Sequence, residues 1–237
     1  MRLTDTASPI AANQLLMHMP KSDRQHLIER CDEVDLMQSD VLCERGDRIN
    51  HVYFPIDCSI SMTTPAGPNG GFELSMVGAE GMQGITLVLG IHVAPQRGLV
   101  QSSGSALRMT TAAFRSELAS SRTLPRLLDR YLYVLMSQMA QAGICAQFHP
   151  VEARLARCLL VSCANTISEE IHLTHELLGF VLGARRESIT EAAGALQEKL
   201  LIRYARGSIV ILDREGLEAA SCSCYDADRT SYAAMFG

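Results

Sequence analysis

The period of the hydrophobic positions changes along the chain, and each change marks a boundary. From Asn13 to Asp35 the apolar residues Leu15, Leu16, Met19, Leu27 and Ile28 sit at helical spacing around Pro20. That pattern predicts a short amphipathic helix, or a helix pair broken at the proline, acting as an N-terminal cap. Between Val41 and about Met109 the texture shortens to "HVYFPIDCSISMTT", "FELSMVG", "ITLVLG" and "GLVQSSGSALRM", separated by Gly, Pro and Asp. Apolar runs this brief, with turns so regular, predict an antiparallel barrel or a jelly-roll-like sandwich.

After Phe114 the turn residues thin out, and "PRLLDRYLYVLMSQMAQAGICAQF" reads as one long helix. On it Leu128, Leu132, Leu135, Met139, Ala142 and Ala146 follow one another at intervals of 4, 3, 4, 3 and 4, the repeat of a coiled-coil seam. So short a stripe also fits a helix packed into an ordinary core. The small residues Ala142, Gly143 and Ala146 favour close approach of a second copy, hence a homodimer. His149-Pro150 then breaks the helix and predicts a hinge, because the residue before a proline is pushed out of helical geometry.

Beyond the hinge, "VEARLARCLLVSCA" is a further amphipathic helix carrying Leu155, Leu159 and Leu160. Thr174 suits the N-cap of a short helix with Leu177, Leu178, Val181 and Leu182 on one side, and Gly183 suits its left-handed end. A second helix starts near Arg185, with Ile189, Ala193, Leu196 and Leu200 on one face and Arg186, Glu187, Thr190, Glu191 and Gly194 on the other. Two such helices joined at a glycine form a helix-turn-helix, whose second helix presents its N-terminal residues to base edges. "LLIRYARGSIVILD" comes next as a hairpin with Arg203 and Arg206 near its tip, a wing for a phosphate backbone. Without the wing, a solvated face is the strongest alternative for Arg185 and Arg186; with it, that alternative recedes.

Composition refines this picture. The chain has 237 residues and a net charge of −5, yet Arg185, Arg186, Lys199, Arg203 and Arg206 outnumber Glu187, Glu191 and Glu198 between Gly183 and Arg206. A local basic surface, rather than the total charge, decides contact with nucleic acid. An apolar fraction of 47% suffices for a core. The first thirty residues show no apolar block behind a basic start, and no later run approaches the roughly 20 apolar residues of a membrane span, so a cytoplasmic location is expected. The eight cysteines (Cys31, Cys43, Cys58, Cys145, Cys158, Cys163, Cys222 and Cys224) include no CxxC pair and no histidine at zinc-finger spacing. They read as buried, reduced hydrophobes, with Cys222 and Cys224 the candidates for redox sensing; no metal site and no cofactor are expected.

The order β-roll, long helix, winged helix resembles the Crp/Fnr family of bacterial transcription regulators over nearly the whole chain. The motifs that carry the resemblance are "ERGDRINHVYFPIDCSIS", with Gly46-Asp47 and Tyr53, "LGARRESITEAAGALQEKLLI" and "ARGSIVILD". The implied fold is α+β: an antiparallel, cyclic-nucleotide-binding-like β-roll over residues 1–125, a dimerisation helix over 126–148, and a winged helix-turn-helix with a C-terminal tail over 149–237. By this resemblance Arg186 and Glu187 read guanine and cytosine, while Arg185, Ser188 and the wing hold phosphates. Thr174, Thr190 and Glu191 complete the candidate contacts. Glu191 departs from the family, whose best-known members carry arginine there.

The family's nucleotide pocket maps here to Gly84, Ile85, Arg97 and Gly98 in "GMQGITLVLGIHVAPQRGLV", with Met139 on the long helix. Ile85 and Gly98 replace groups that would hold a cyclic nucleotide, and unpaired buried polar groups cost about 1–3 kcal/mol, which argues against cyclic AMP. The oxygen-sensing branch's N-terminal cysteine cluster is missing. His51, His92 and His149 are isolated histidines that argue little for haem. Another small molecule, a cyclic dinucleotide, thiol oxidation or no effector remain open.

The expectation is therefore a homodimeric regulator of near-palindromic double-stranded DNA, with RNA polymerase as a further partner. The competing reading is a β-roll adaptor whose winged helix contacts protein. No nucleophile elbow, metal-ligand pair or phosphate loop favours an enzyme.

Overall fold

Asn13 is the first described residue, and its side chain fastens the start of α1 to the rest of the fold. Its Oδ1 accepts from Leu16 N at 3.1 Å, capping α1 (Gln14–Met17), while its Nδ2 donates to the carbonyls of Pro55 and Gly81 at 2.9 and 2.8 Å. The structure, a computed structural model, describes residues 13–65, 71–164, 170–205 and 207–237. Pro20 stands at the N-cap of α2 (Lys21–Ile28), so the break expected at the proline is present. The end of that segment differs: Asp32–Leu36 forms strand β1 rather than helix.

Six more strands complete the β-roll: β2 (Val41–Cys43), β3 (His51–Pro55), β4 (Ser59–Pro65), β5 (Gly71–Val77), β6 (Arg97–Ser102) and β7 (Gly104–Thr110). They form two antiparallel sheets, in the orders β1-β7-β3 and β2-β6-β4-β5. Between them Cys58, Ile60, Val77, Val100 and Ala106 are buried. The run "ITLVLG", expected as a strand, is instead a 3-10 helix over Ile85–Leu89. Gly84 and Gly90 bracket it at φ +93° and +74°, left-handed conformations that turn the chain out of any strand.

Thr110 caps α3 (Thr111–Ser120), and the long helix α4 spans Leu124–Phe148. Leu124, Leu127, Leu128, Tyr131, Val134 and Leu135 join one core with Leu15, Leu16, Leu27, Phe54 and Phe114. This corrects the predicted seam. Leu128, Leu135 and Ala142 are buried within the protomer, Leu132 and Met139 are half-buried, and of that stripe only Ala146 is exposed. The exposed apolar face lies one residue further round: Tyr133, Met136, Ala140, Ile144 and Phe148, with Gly143 beside them. A helix turns about 100° per residue, so the shift exchanges the inner face for the outer one.

The C-terminal part comprises α5 (Val151–Ala164), β8 (Glu170–His172), α6 (His175–Leu182), α7 (Arg186–Glu198), β9 (Ile202–Ala205), β10 (Ser208–Ile211), α8 (Arg214–Ala220) and α9 (Cys224–Phe236). Leu155, Leu159, Leu160, Leu178, Ile189, Leu196, Ile202, Ile209 and Leu217 close its core. Arg154 is buried with them and donates to the Leu182 carbonyl, tying α5 to the end of α6.

The C-terminal tail touches both parts: Tyr225 joins the core of the winged helix, and the rest of α9 reaches the long helix. α9 packs along α4, Phe236 enters the first core, and the Arg130 guanidinium lies 5.3 Å from the Phe236 ring centre.

The two cores also meet directly. α6 lies against β5 so closely that a Cβ on Gly71 would fall 2.0 Å from the Phe180 ring. Gln38 Nε2 donates to the His172 carbonyl at 2.8 Å. At the same junction Glu73 accepts from the Ser61 hydroxyl, and burial raises its pKa to about 7 despite that bond and the nearby Arg157 charge. Among the described residues no helix is long and apolar enough to cross a membrane.

Candidate nucleic-acid interface

The reading element begins with two caps. Thr174 Oγ1 accepts from Leu177 N at 3.2 Å, and Gly183 ends α6 at φ 58°, ψ 38°, both as the sequence predicted. Gly179 serves the same turn, because a Cβ there would approach the Ala184 carbonyl to 3.0 Å. The chain can therefore fold α7 tightly across α6.

On α7, Ile189, Ala192, Ala193 and Leu196 are buried, while Arg186, Glu187, Thr190 and Glu191 are exposed and Ser188 is half-buried. Leu200 departs from the predicted stripe: it lies past the helix end at φ 58° and is 73% exposed. Arg185 occupies the N-cap, and among the described residues no side-chain cap hydrogen bond is made there. The first-turn N–H groups and the positive end of the helix dipole suit a phosphate oxygen.

The wing is the antiparallel pair β9 and β10, with β8 added on the far side of β10. Sequence periodicity had not marked β8, which has three residues. Arg203 is exposed on β9, and Gly207 turns the hairpin at φ +84°. The expected contact at Arg206 lies outside the described residues. Gln197 Oε1 accepts from Tyr204 N at 2.6 Å and so fixes the wing to α7.

Two residues that sequence reasoning missed join this surface. His175 stacks on Tyr204 with ring centres 4.5 Å apart and 14° between planes. Thr190 Oγ1 lies 3.0 Å from both the Arg186 carbonyl and His175 Nδ1. Its single proton goes to the carbonyl, which assigns the Nδ1–H tautomer to the histidine. Burial, and then the Arg186 charge, lower the His175 pKa, so the ring is neutral at pH 7. His175 Nε2 has no partner among the described residues. A histidine one step after a cap and a tyrosine on the wing carry no local signal linking them.

Beside the contact of α6 with β5, an open cleft of about 1200 Å³ runs between the start of α7 and the β-roll, with Arg185, Arg186 and Glu187 on one side and Gln38, Arg97 and Leu99 on the other.

Arg97, one of the predicted pocket residues, lines this cleft. Its Nε lies 3.2 Å from Glu44 Oε1. Gly84, Ile85, Gly98 and Met139 line neither this cleft nor the two smaller ones beside α4, so the five predicted pocket residues are not gathered round one of these cavities. Side chains fill the space beside Gly98: a Cβ there would meet Cys43 Sγ at 3.3 Å and Gln83 Nε2 at 3.8 Å. Gln83 is itself buried and donates to Cys43 Sγ at 3.3 Å.

The cysteines, which sequence spacing does not mark as a metal site, do not all stand apart. Ligand atoms of Cys145, His149, Cys222 and Cys224 all lie within 4.8 Å of one another.

Residues 153–220 match the family model of the Crp-like helix-turn-helix domain. No curated protein matches the chain in sequence. Among solved structures the fold resembles FixK2 of Bradyrhizobium japonicum at 11% identity and a TM-score of 0.68, over 81% of this chain and 98% of that one. A CRP-family transcriptional regulator of Thermus thermophilus is similar at 16% and 0.67, over 79% and 96%. CLP of Xanthomonas campestris, described as a c-di-GMP-responsive global regulator, is similar at 14% and 0.65, over 81% and 99%. Residues 153–220 thus carry a Crp-like helix-turn-helix domain, and the fold of the chain resembles that of Crp/Fnr regulators.

Proposed function

We propose that the protein is a homodimeric regulator that binds near-palindromic DNA through α7 and its wing, under the control of a signal received at the β-roll. The observation that carries this reading is the polar arc at the uncapped start of α7, held outward by Ile189, Ala193 and Leu196 underneath. In this reading Arg186 contacts guanine and Glu187 accepts from a cytosine amino group. Arg185, Ser188, Arg203 and Arg206 hold phosphates, and Thr174, Thr190 and Glu191 border the same surface. Two copies meet along the outer face of α4, around Tyr133, Met136, Ile144 and Phe148. Their recognition helices then face half-sites about one helical turn apart, or a small multiple of it.

Control follows from the position of the reading element. Because Arg185 and Arg186 share a cleft with Gln38 and Arg97, a signal that moves the β-roll against the winged helix changes how α7 is presented. The filled space beside Gly98 and the pairing of Arg97 with Glu44 argue against cyclic AMP as that signal.

The test is site selection from random-sequence duplex, followed by footprinting with Arg186→Ala. The variant is expected to lose about 1–3 kcal/mol of specific binding and to accept other bases at one position of each half-site. Unchanged affinity and unchanged selectivity would show that Arg186 reads no base.

A further inference from the structure

We propose that Cys145, His149, Cys222 and Cys224 bind a single tetrahedral metal ion, Zn²⁺, which staples the C-terminal tail to the hinge end of the long helix. Cys145 and His149 lie one turn apart at the end of α4, while Cys222 precedes Ser223, the N-cap of α9, and Cys224 is the first residue of that helix. The Cys145 and Cys222 sulfurs are 3.5 Å apart, and His149 Nδ1 is 3.3 Å from Cys224 Sγ. Around one zinc ion, metal–sulfur bonds of about 2.3 Å and tetrahedral angles put neighbouring sulfurs roughly 3.8 Å apart. These two pairs are thus already near the separation one ion imposes, and all four donor atoms lie within 4.8 Å of one another. A sulfur–sulfur bond would need about 2.0 Å, and all three cysteines of the cluster are free thiols.

The surroundings suit a closed, structural site. Cys224, Cys145 and Cys222 are 0%, 3% and 6% exposed, and they form a small cluster of their own with Ala153 packed against it. Four protein donors leave no open coordination position, and the sulfur-nitrogen set favours zinc over hard cations. A polynuclear iron–sulfur cluster would hold its ligand sulfurs further apart than one ion does.

Three thiolates and one Zn²⁺ leave a net negative charge, and the polar groups around the cluster answer it. Arg157 Nη1 is 4.0 Å from Cys145 Sγ, and Asp228 holds the same guanidinium at 2.5 Å. Gln141 Nε2 donates to Cys224 Sγ at 3.0 Å. Such outer hydrogen bonds orient ligands and steady thiolate charge. Occupancy joins the end of α4 and the adjoining His149-Pro150 hinge to the start of α9, 75 residues further along the chain. This inference stands independently of which polymer α7 reads.

The full-length protein, purified reduced and without chelator, is expected to carry one zinc per chain by elemental analysis. After stripping, titration with Co²⁺ should give the thiolate charge-transfer and strong d–d absorption of tetrahedral cobalt, and Zn²⁺ should bleach both. Mass-spectrometric alkylation of the stripped and the zinc-loaded wild type should locate zinc-dependent protection at Cys145, Cys222 and Cys224. Cys222→Ser and Cys224→Ser should each lower bound zinc at least tenfold, whereas Cys31→Ser should not. The proposal is overturned if folded wild type gives no tetrahedral cobalt spectrum, if zinc protects none of the three thiols, or if the isolated protein holds iron with acid-labile sulfide there.

Discussion

If two copies pair through the outer face of α4 as proposed, Met136→Asp is expected to separate them while leaving each protomer folded. Met136 is 64% exposed in the protomer, between Tyr133 at 56% and Ile144 at 48%. Fully burying a side chain of this size is worth about 1.5–3 kcal/mol, so covering the exposed part contributes roughly 1–2 kcal/mol. A two-fold interface uses the residue twice, and the loss becomes about 2–4 kcal/mol, or roughly 30- to 1000-fold in dimer Kd. Two carboxylates brought face to face add to that. Leu128→Ala should do the opposite: Leu128 is fully buried in the protomer, so the variant should lose about 2–5 kcal/mol of folding stability. Its Kd for association should change little. Sedimentation equilibrium across a range of protein concentrations, paired with thermal unfolding, reads both quantities. If Met136→Asp keeps the wild-type Kd, or if Leu128→Ala dissociates with its Tm unchanged, the outer face of α4 is not the interface.

Glu73 and Gly183 each give a test of stability at a single position. The pKa of Glu73 is raised from 4.5 to about 7 by burial, so the folded chain holds a proton that the unfolded chain has lost. Its contribution is fully present below about pH 4.5, and disappears as pH rises through about 7, a loss of at most about 3 kcal/mol. Glu73→Gln should flatten thermal stability across that window, and an unchanged slope would remove Glu73 as its source. Gly183 holds φ 58° with Phe72 Cδ2 3.2 Å from where a Cβ would sit. Gly183→Ala should cost about 1–2 kcal/mol and several degrees of Tm, and a Tm equal to wild type would contradict the strain.

How much was legible in the sequence depended on how local each signal was. Thr174 and Gly183 mark the ends of α6 through their own chemistry, and Ile189, Ala193 and Leu196 mark the buried side of α7 by period alone. On α4 both stripes are apolar, and period cannot decide which one faces inward. That choice is made by α9 and β5, which pack on the helix from elsewhere in the chain. "ITLVLG" carries the same apolar run in a strand or a 3-10 helix, and only the backbone angles of Gly84 and Gly90 distinguish them.

The cysteine cluster was hidden for a related reason. Cys145 and Cys222 stand 77 residues apart, and Cys222 and Cys224 are separated by one residue instead of the two of a common zinc motif. Family resemblance assigned a nucleotide pocket to positions along the chain, yet Cys43 and Gln83 pack beside Gly98, and Arg97 turns to Glu44. His175 and Tyr204 meet only because the wing folds back over α6.

The central claim, that α7 and the wing grip DNA, is tested most directly by the salt dependence of binding to the selected site. Each phosphate neutralised releases counterions, at about 0.9 per contact in the slope of log K against log salt. With Arg185, Arg203 and Arg206 from both protomers on phosphates, the expected slope is roughly −5 between about 50 and 200 mM salt. Affinity that stays level across that range would contradict the account and turn the winged helix into a surface for protein.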